Sequence, residues 1–370
     1  MTITRTYLRP IGRITNPPGR VNTTPDKVIR IADREDLVFS ALELLQRHPD
    51  GSVDRRIVTP QEARNEISRG GHMGEQIKTA LAGFAHPRPS LAGLSLDRPR
   101  IMGIVNVTPD SFSDGGSFST AREAIAHALR LDDEGADILD IGGESTRPGS
   151  DPVPSDEELR RVMPVIEGLI GKTRARLSID TRKADVMRRA ALAGVHMLND
   201  VSALSYDANS LRVAAETRLP VVLMHARGDP KTMQNNPRYD NVLLDVYDML
   251  AERVETCLRA GVARERITVD PGIGFGKTLA HNLELLAGLS LFHALGTTVL
   301  VGASRKGFIG ALTGAIDSAD RLPGSLAAAL AGAAQGAGIL RVHDVAATRQ
   351  ALTVWEAAAV GAAPPTGLTS

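Results

Sequence analysis

The stretch Ile101-Met-Gly-Ile-Val-Asn-Val107 leads through a loop to Ala124, Ala128 and Leu131 at helical spacing, and then to Asp137-Ile-Leu-Asp-Ile141. It reads as strand, helix, strand. Both apolar runs are short and nearly continuous, the pattern of a parallel strand covered on both faces. The unit recurs, with further apolar runs at 177–179, 196–198, 220–224, 267–269, 298–301 and 339–342, which makes eight. Helical stripes such as Val186, Ala190 and Ala193 lie between them. Eight such units over roughly 260 residues predict an α/β fold, a closed (β/α)8 TIM barrel of the usual ~250 residues, and not an open doubly wound sheet.

The chain has 370 residues, more than the barrel needs. The organisation read from it is an N-terminal extension over 1–95, the barrel over 96–360 and a flexible tail over 361–370. The extension opens as a loop, with Pro10, Gly12, Pro17, Pro18, Gly19 and Pro25 close together. Leu37, Val38, Ala41, Leu42, Leu44 and Leu45 predict a helix over 33–46, and Ile77, Ala80, Leu81 and Phe84 a second over 75–84. The extension is therefore expected to be mainly helical, and it carries no chemical motif.

Lys and Arg number 43, as do Asp and Glu, so the net charge is zero. That argues against nucleic-acid binding by bulk charge and leaves room for a local basic pocket. Aromatics are only 3% of the chain, so the core must be built from Ala, Val, Leu and Ile. One cysteine, Cys257, excludes an internal disulfide and suits a reducing cytoplasm; in its helical context it reads as a buried structural thiol. No apolar run is long enough for a membrane span, and the first residues lack the apolar core of a secretion signal.

In such a barrel the C-terminal ends of the strands form the active rim. The residues there are Asn106, Gly142-Gly-Glu-Ser-Thr-Arg-Pro-Gly149, Asp180-Thr-Arg182, Asn199-Asp200, His225, Asp270-Pro-Gly-Ile-Gly-Phe-Gly-Lys277, Ser304-Arg-Lys306 and Arg341-Val-His-Asp344. Helix capping would explain Asp200 and Asp344. It does not require Lys, Arg and His beside carboxylates at one end of a barrel. Asp180, Asn199 and Asp270 are an acceptor and donor set that suits a flat heterocycle with ring N–H and amino groups. Arg147, Arg305, Lys306, Arg341 and His343 are cationic, and four of these five follow strands seven and eight, where barrel phosphate sites favour. Together they describe a heterocycle that carries phosphate or pyrophosphate.

Two motifs fail. A P-loop needs glycine at 271, which is Pro271, and a dinucleotide fingerprint needs glycine at 277, which is Lys277. No His/Cys cluster has zinc spacing. Asn106 offers one oxygen ligand, enough for a Mg²⁺ held mostly by substrate phosphates and water.

Met102-Gly-Ile-Val-Asn-Val-Thr-Pro-Asp-Ser-Phe-Ser-Asp-Gly-Gly116 resembles the first signature of the dihydropteroate synthases, and Asp140-Ile-Gly-Gly-Glu-Ser-Thr-Arg-Pro-Gly149 the second. Ser178-Ile-Asp-Thr181, Leu198-Asn-Asp-Val201, Asp270–Lys277, Gly302-Ala-Ser-Arg-Lys306 and Arg341-Val-His-Asp-Val345 follow in that family's order. The resemblance covers about residues 98–356. It implies the condensation of 6-hydroxymethyl-7,8-dihydropterin pyrophosphate with 4-aminobenzoate, giving 7,8-dihydropteroate and pyrophosphate in folate biosynthesis, through a dissociative pterin-methyl cation and with Mg²⁺. By resemblance Asp180, Asn199, Asp270, Lys306 and Met224 hold the pterin, Arg147, Arg341 and His343 the pyrophosphate, and Asn106 the metal. Phe112, Thr146, Pro148, Phe275 and Ser304 form the 4-aminobenzoate side, and Arg147, Lys306 and Asp110 are assigned to catalysis. The family also implies a homodimer, a cytoplasmic setting and sensitivity to sulfonamides.

Two features depart from the family pattern. Ala226-Arg227 stand where many relatives carry Met-Gln, which adds a cation near the pterin side, and the extension is longer than in compact members. A related methyltransferase would keep Asp180, Asn199 and Asp270 but would not need Thr146-Arg-Pro148 or the Ser304–Lys306 and Arg341–His343 sets. A binding paralogue would keep the pocket without the reaction.

Overall fold

The computed structural model describes residues 4–15, 24, 26–88, 90–107, 117–145, 150–228 and 231–361. The N-terminal part is a mixed α/β layer, which corrects the mainly helical extension expected from the sequence. Strand β1 (Arg5–Ile14) pairs antiparallel with β3 (Val38–Arg47), whose other edge takes β2 (Ile29–Arg30) and β4 (Val53–Val58). The helix predicted over 33–46 is thus mostly strand β3. Leu42 and Leu44 join Leu8, Val58, Ile77 and Phe84 on one face of the sheet, while Leu45 packs with Tyr7 in the core shared with the barrel. A strand buried on both faces needs apolar residues in succession, and that succession also satisfies a helical stripe.

Helix α1 (Pro60–Arg69) was not foreseen, although its start is written locally. Thr59 caps it: the Glu62 amide donates to the Thr59 hydroxyl at 3.2 Å, the Glu62 carboxylate accepts from the Thr59 amide at 2.7 Å, and Pro60 follows the cap. Helix α2 (Gly71–Ala85) contains the predicted helix over 75–84. A short hairpin, β5 (Ser90–Leu91) with β6 (Leu94–Ser95), then leads to the barrel.

The barrel strands are β7 (Arg100–Asn106), β8 (Ile138–Gly142), β9 (Arg176–Asp180), β10 (Met197–Asp200), β11 (Val221–Met224), β12 (Ile267–Asp270), β13 (Thr298–Val301) and β14 (Ile339–Val342). They pair in parallel and in sequence, and β14 closes on β7. All eight predicted runs are strands. The helices that follow are α3 (Ser117–Asp133), α4 (Ser155–Leu169), α5 (Ala184–Ala193), α6 (Ser210–Thr217), α7 (Val242–Arg259), α8 (Leu279–Ala287), α9 (Gly307–Thr313), α10 (Leu322–Ala334) and α11 (Val345–Val360). Cys257 on α7 is fully buried, as expected, and burial pushes its thiol up to about 11. Among the described residues no helix is long and apolar enough to cross a membrane.

The period of two along a strand divides the barrel interior into layers. Near the N-terminal end Met102, Ile138, Met197, Val222, Leu300 and Ile339 form one apolar cluster, plugged from below by Leu91 and Leu96. Two residues further along the same strands stand Asp140, Asn199, Met224 and Arg341. The apolar floor therefore carries a polar upper layer.

The extension lies against the outside of the barrel. The Tyr7 hydroxyl donates to Asp248 on α7 at 3.0 Å, and Arg47 pairs with Asp245 at 2.6 Å. Ser290 donates to the Pro10 carbonyl at 2.7 Å, and the Arg13 guanidinium stacks 4.9 Å from the Trp355 ring on α11.

Candidate active site

The polar layer is held together by one guanidinium. Arg341 Nε lies 2.7 Å from Asp140 Oδ2, and its Nη2 lies 2.8 Å from Asp180 Oδ2. Asn199 Nδ2 donates to the same Asp140 oxygen at 2.9 Å. Asp140 is fully buried, and its second oxygen, Oδ1, has no partner. Burial works against the charge on Arg341, but Asp140 and Asp180 outweigh it and hold the guanidinium above its usual value. Burial pushes the Asp180 carboxyl well above the usual carboxylate range, with Arg341 opposing and the Asp140 charge adding. Asp270 is raised by burial too, against the pull of Lys306. Met224, which pairs in register with Asp270, completes the predicted pterin set on adjoining strands.

The loop after β12 is folded back by glycine and lysine. A Cβ on Gly272, at φ +67°, would run into the His225 carbonyl. The Gly272 amide donates to Asp270 Oδ1 at 2.7 Å. Lys277 Nζ is buried beneath the loop, 2.9 Å from the Gly272 and Phe275 carbonyls and 3.0 Å from His225 Nδ1. Burial pulls Lys277 down to about 7 and His225 to about 3, so the imidazole is neutral. Lys306 Nζ donates to the Ile273 carbonyl and sits 4.5 Å from the Phe275 ring centre. Burial lowers Lys306 to about 8 against the pull of Asp270. The two aromatic and cationic predictions, Phe275 and Lys306, are thus in contact.

Ser304 and His343 also meet. The His343 backbone N–H donates to Ser304 Oγ at 3.2 Å, and the same hydroxyl shares a hydrogen bond with His343 Nδ1 at 3.0 Å. Arg305, counted with the cations above, serves otherwise: its Nε donates to Asp344 at 2.9 Å, its amide donates to Ser325 Oγ at 2.8 Å, and its φ is +57°. Asp344 is thereby paired, and Asp200 accepts the Ser202 and Leu204 amides of the turn that follows β10, with no helix there to cap. Arg227, the departure from the family pattern, stacks 5.0 Å from the Tyr239 ring and donates to the Arg238 carbonyl.

Asn106 ends β7 half-buried, in register with Gly142. Asp110, Phe112, Thr146, Arg147 and Pro148 lie outside the described residues. The foot of the second loop is described, and Glu144 organises it. Its carboxylate accepts from the Val153 amide at 2.9 Å, from Arg182 at 3.1 Å and from Lys183 at 2.9 Å, and Lys183 also pairs with Glu158 at 2.5 Å. The Ser150 hydroxyl closes on the Ser145 carbonyl at 2.5 Å.

Asp140, Glu144 and Lys277 are the residues the sequence reading passed over. Asp140 could have been found, since an acid two positions after Ile138 inside an apolar run must enter the lumen. Glu144 and Lys277 act through contacts with distant segments, and spacing alone carries no signal for those.

The chain is similar to known proteins. The family described as pterin binding enzyme matches residues 102–343. The dihydropteroate synthase of Escherichia coli (strain K12) is 49% identical over 264 residues, covering 71% of this chain and 93% of that protein. The solved structure of Xanthomonas albilineans dihydropteroate synthase with 4-aminobenzoic acid superposes with a TM-score of 0.69 at 55% identity, covering 73% of this chain and 96% of that one. The same enzyme in complex with 7,8-dihydropteroate gives 0.67 at 51% identity, covering 75% and 100%. The family match begins at residue 102, so the extension lies outside it.

Proposed function

The chain belongs to the pterin binding enzymes, among the dihydropteroate synthases, and from that membership we propose how its barrel mouth performs the reaction. The enzyme joins 6-hydroxymethyl-7,8-dihydropterin pyrophosphate to 4-aminobenzoate, forming 7,8-dihydropteroate and pyrophosphate in folate biosynthesis. The observation that carries the site assignment is the unpartnered, buried Oδ1 of Asp140 beside Asp180 and Asn199. An acceptor buried without a donor is costly. The amino and ring N–H groups of a pterin supply such donors, and Asp180, Asn199 and Asp270 surround the same space.

The carbon–oxygen bond of the pterin methyl group breaks, and its electron pair leaves with pyrophosphate. Arg341 and His343 face that leaving charge, with Arg147 from the second loop. The 4-aminobenzoate nitrogen then attacks the methyl carbon and loses a proton to solvent. No protein nucleophile is needed, and the barrel contributes mainly by electrostatic stabilisation. Burial raises the Asp180 and Asp270 carboxyls and lowers Lys306 in this layer, which suits electrostatic stabilisation in a partly dry site. Lys306, packed on Phe275, bounds the pterin and the 4-aminobenzoate sides at once. Phe112, Thr146 and Pro148, with Ser304, would form the rest of the 4-aminobenzoate side, and Asp110 would act from the first loop.

A Mg²⁺ ion fits this donor set in one way. Among the described residues no three His, Cys, Asp or Glu side chains gather as ligands, and Asn106 offers a single carboxamide oxygen at the mouth. Such an ion would be held by Asn106, the substrate's phosphate oxygens and water, and would neutralise leaving-group charge. The same reading carries a cytoplasmic homodimer. Its support is the single buried thiol and the apolar residues left exposed on the packed helices α8 and α9: Leu279, Leu283 and Leu312.

The test is pyrophosphate release by purified protein with the dihydropterin pyrophosphate and Mg²⁺. Release that requires 4-aminobenzoate, with dihydropteroate in equal amount, is the expected result. Pterin binding without product would leave the pocket standing and remove the reaction.

A further inference from the structure

Among the described residues, the base of the barrel, opposite the substrate mouth, holds a buried cation with no anion against it. Arg88, between α2 and β5, is 8% exposed. Among the described residues its guanidinium meets only neutral groups: the Gly83 carbonyl at 2.6 Å, the His293 carbonyl at 3.0 Å and His293 Nδ1 at 3.4 Å. Its Nε is buried with no partner. His293 cannot help with charge. Its Nε2 donates to the Gln335 carbonyl at 2.9 Å, so Nδ1 presents a lone pair to Arg88, and burial beside that arginine holds the ring neutral, at about 3. The charged groups felt at Arg88 are other cations, Arg264 and Arg34, each already paired: Arg264 with Glu255 at 3.2 Å and Arg34 with Asp36 at 2.6 Å.

A cavity of about 20 Å³ opens here. Its walls come from the extension, through Leu37, Arg34 and Arg88, and from the barrel segment, through Leu96, His293 and Val299. That volume suits a body about the size of one or two waters. Buried charges in folded proteins are paired, because an isolated one loses its hydration with nothing in return. The neighbouring arginines already have their own carboxylates, so the partner missing from Arg88 is negative, and a small wall with Arg34 beside apolar side chains favours a monoanion.

We propose that this cavity binds a small inorganic monoanion of chloride size, held by Arg88 at the seam between the extension and the barrel floor. The anion accepts from the Nε and Nη1 hydrogens of Arg88, while Nη2 keeps its carbonyls. Because both parts of the chain build the site, anion binding is linked to docking of the extension, and an anion that binds only the docked form stabilises it by mass action.

The test is thermal unfolding of the full chain at fixed ionic strength, with chloride exchanged for bulky gluconate. The wild type should melt about 2–4 °C higher in chloride, with saturation, and Arg88→Met should lose that response. An equal midpoint in both salts, or an undiminished chloride response in the variant, overturns the proposal. Should the variant not fold, crystals of the wild type grown in bromide decide the matter by anomalous diffraction: a bromide peak beside Arg88 supports the site, and its absence there removes it.

Discussion

Arg341 on β14 reaches past β7 and β8 to Asp180 on β9, 2.8 Å away, while the same guanidinium holds Asp140 at 2.7 Å. The acceptor set and the cation set read separately from the sequence are therefore one network. Arg341→Gln would leave two buried carboxylates without their shared cation. The expected loss is about 3 kcal/mol of stability and about a hundredfold or more in kcat/KM. Adding Asp140→Asn should recover much of the stability and none of the rate. Urea unfolding and steady-state kinetics of the two single variants and the double variant test this. Strictly additive stability losses would show that the residues are not coupled.

Glu144 ties the foot of the second loop to β9 through Val153, Arg182 and Lys183. Glu144→Gln keeps the size and removes the charge, while Lys183 retains Glu158. The fold should lose about 1–3 kcal/mol. Because Glu144 positions the loop that carries Thr146, Arg147 and Pro148, KM for 4-aminobenzoate should rise on the order of tenfold, with pterin affinity unchanged by calorimetry. A loss of pterin affinity instead would mean that Glu144 supports the pocket itself.

The barrel was legible because each strand is a short apolar run bounded by polar rim residues, and eight of them set the closure. The rim residues were legible by chemistry: Asp180, Asn199, Asp270, Lys306, Arg341 and His343 do gather. Strand β3 was misread because Val38, Phe39, Leu44 and Leu45 fill two faces of a sheet, and that filling mimics a helical stripe. Arg305 was misplaced because a cation at a strand end looks the same whether it meets a substrate or Asp344. Only the fold could show that Asp344 stands 2.9 Å away.

Lys277 makes stability depend on pH. Its folded value is about 7, against 10.5 for the free side chain, because burial disfavours the charge. Between those values the unfolded chain binds more protons than the folded one, so stability rises with pH across that window and is flat below it. The slope should approach about 1 kcal/mol per pH unit. Lys277→Met removes the titrating group. Urea unfolding of both proteins at pH 7 and pH 9 should give a wild-type gain that the variant lacks, and parallel curves would mean that the ammonium stays charged on its two carbonyls.

Tyr7 and Leu45 stand in register on β1 and β3, and both belong to the core that runs into the barrel. The Tyr7 ring meets Tyr247 edge-on at 5.5 Å, and Tyr247 in turn lies 6.2 Å from Phe292. The extension and the barrel therefore share apolar surface, and a chain built this way should unfold in one transition. Leu45→Ala removes a fully buried side chain and should cost about 2–5 kcal/mol, and it should lower the midpoint of the whole protein, barrel included. Tyr7→Phe should cost only about 1 kcal/mol, because Asp248 keeps Arg5 at 2.9 Å. Calorimetry separates this from an independent extension. An appended domain would melt in its own step, and Leu45→Ala would shift that step while the barrel's midpoint and the synthase activity stayed where they were.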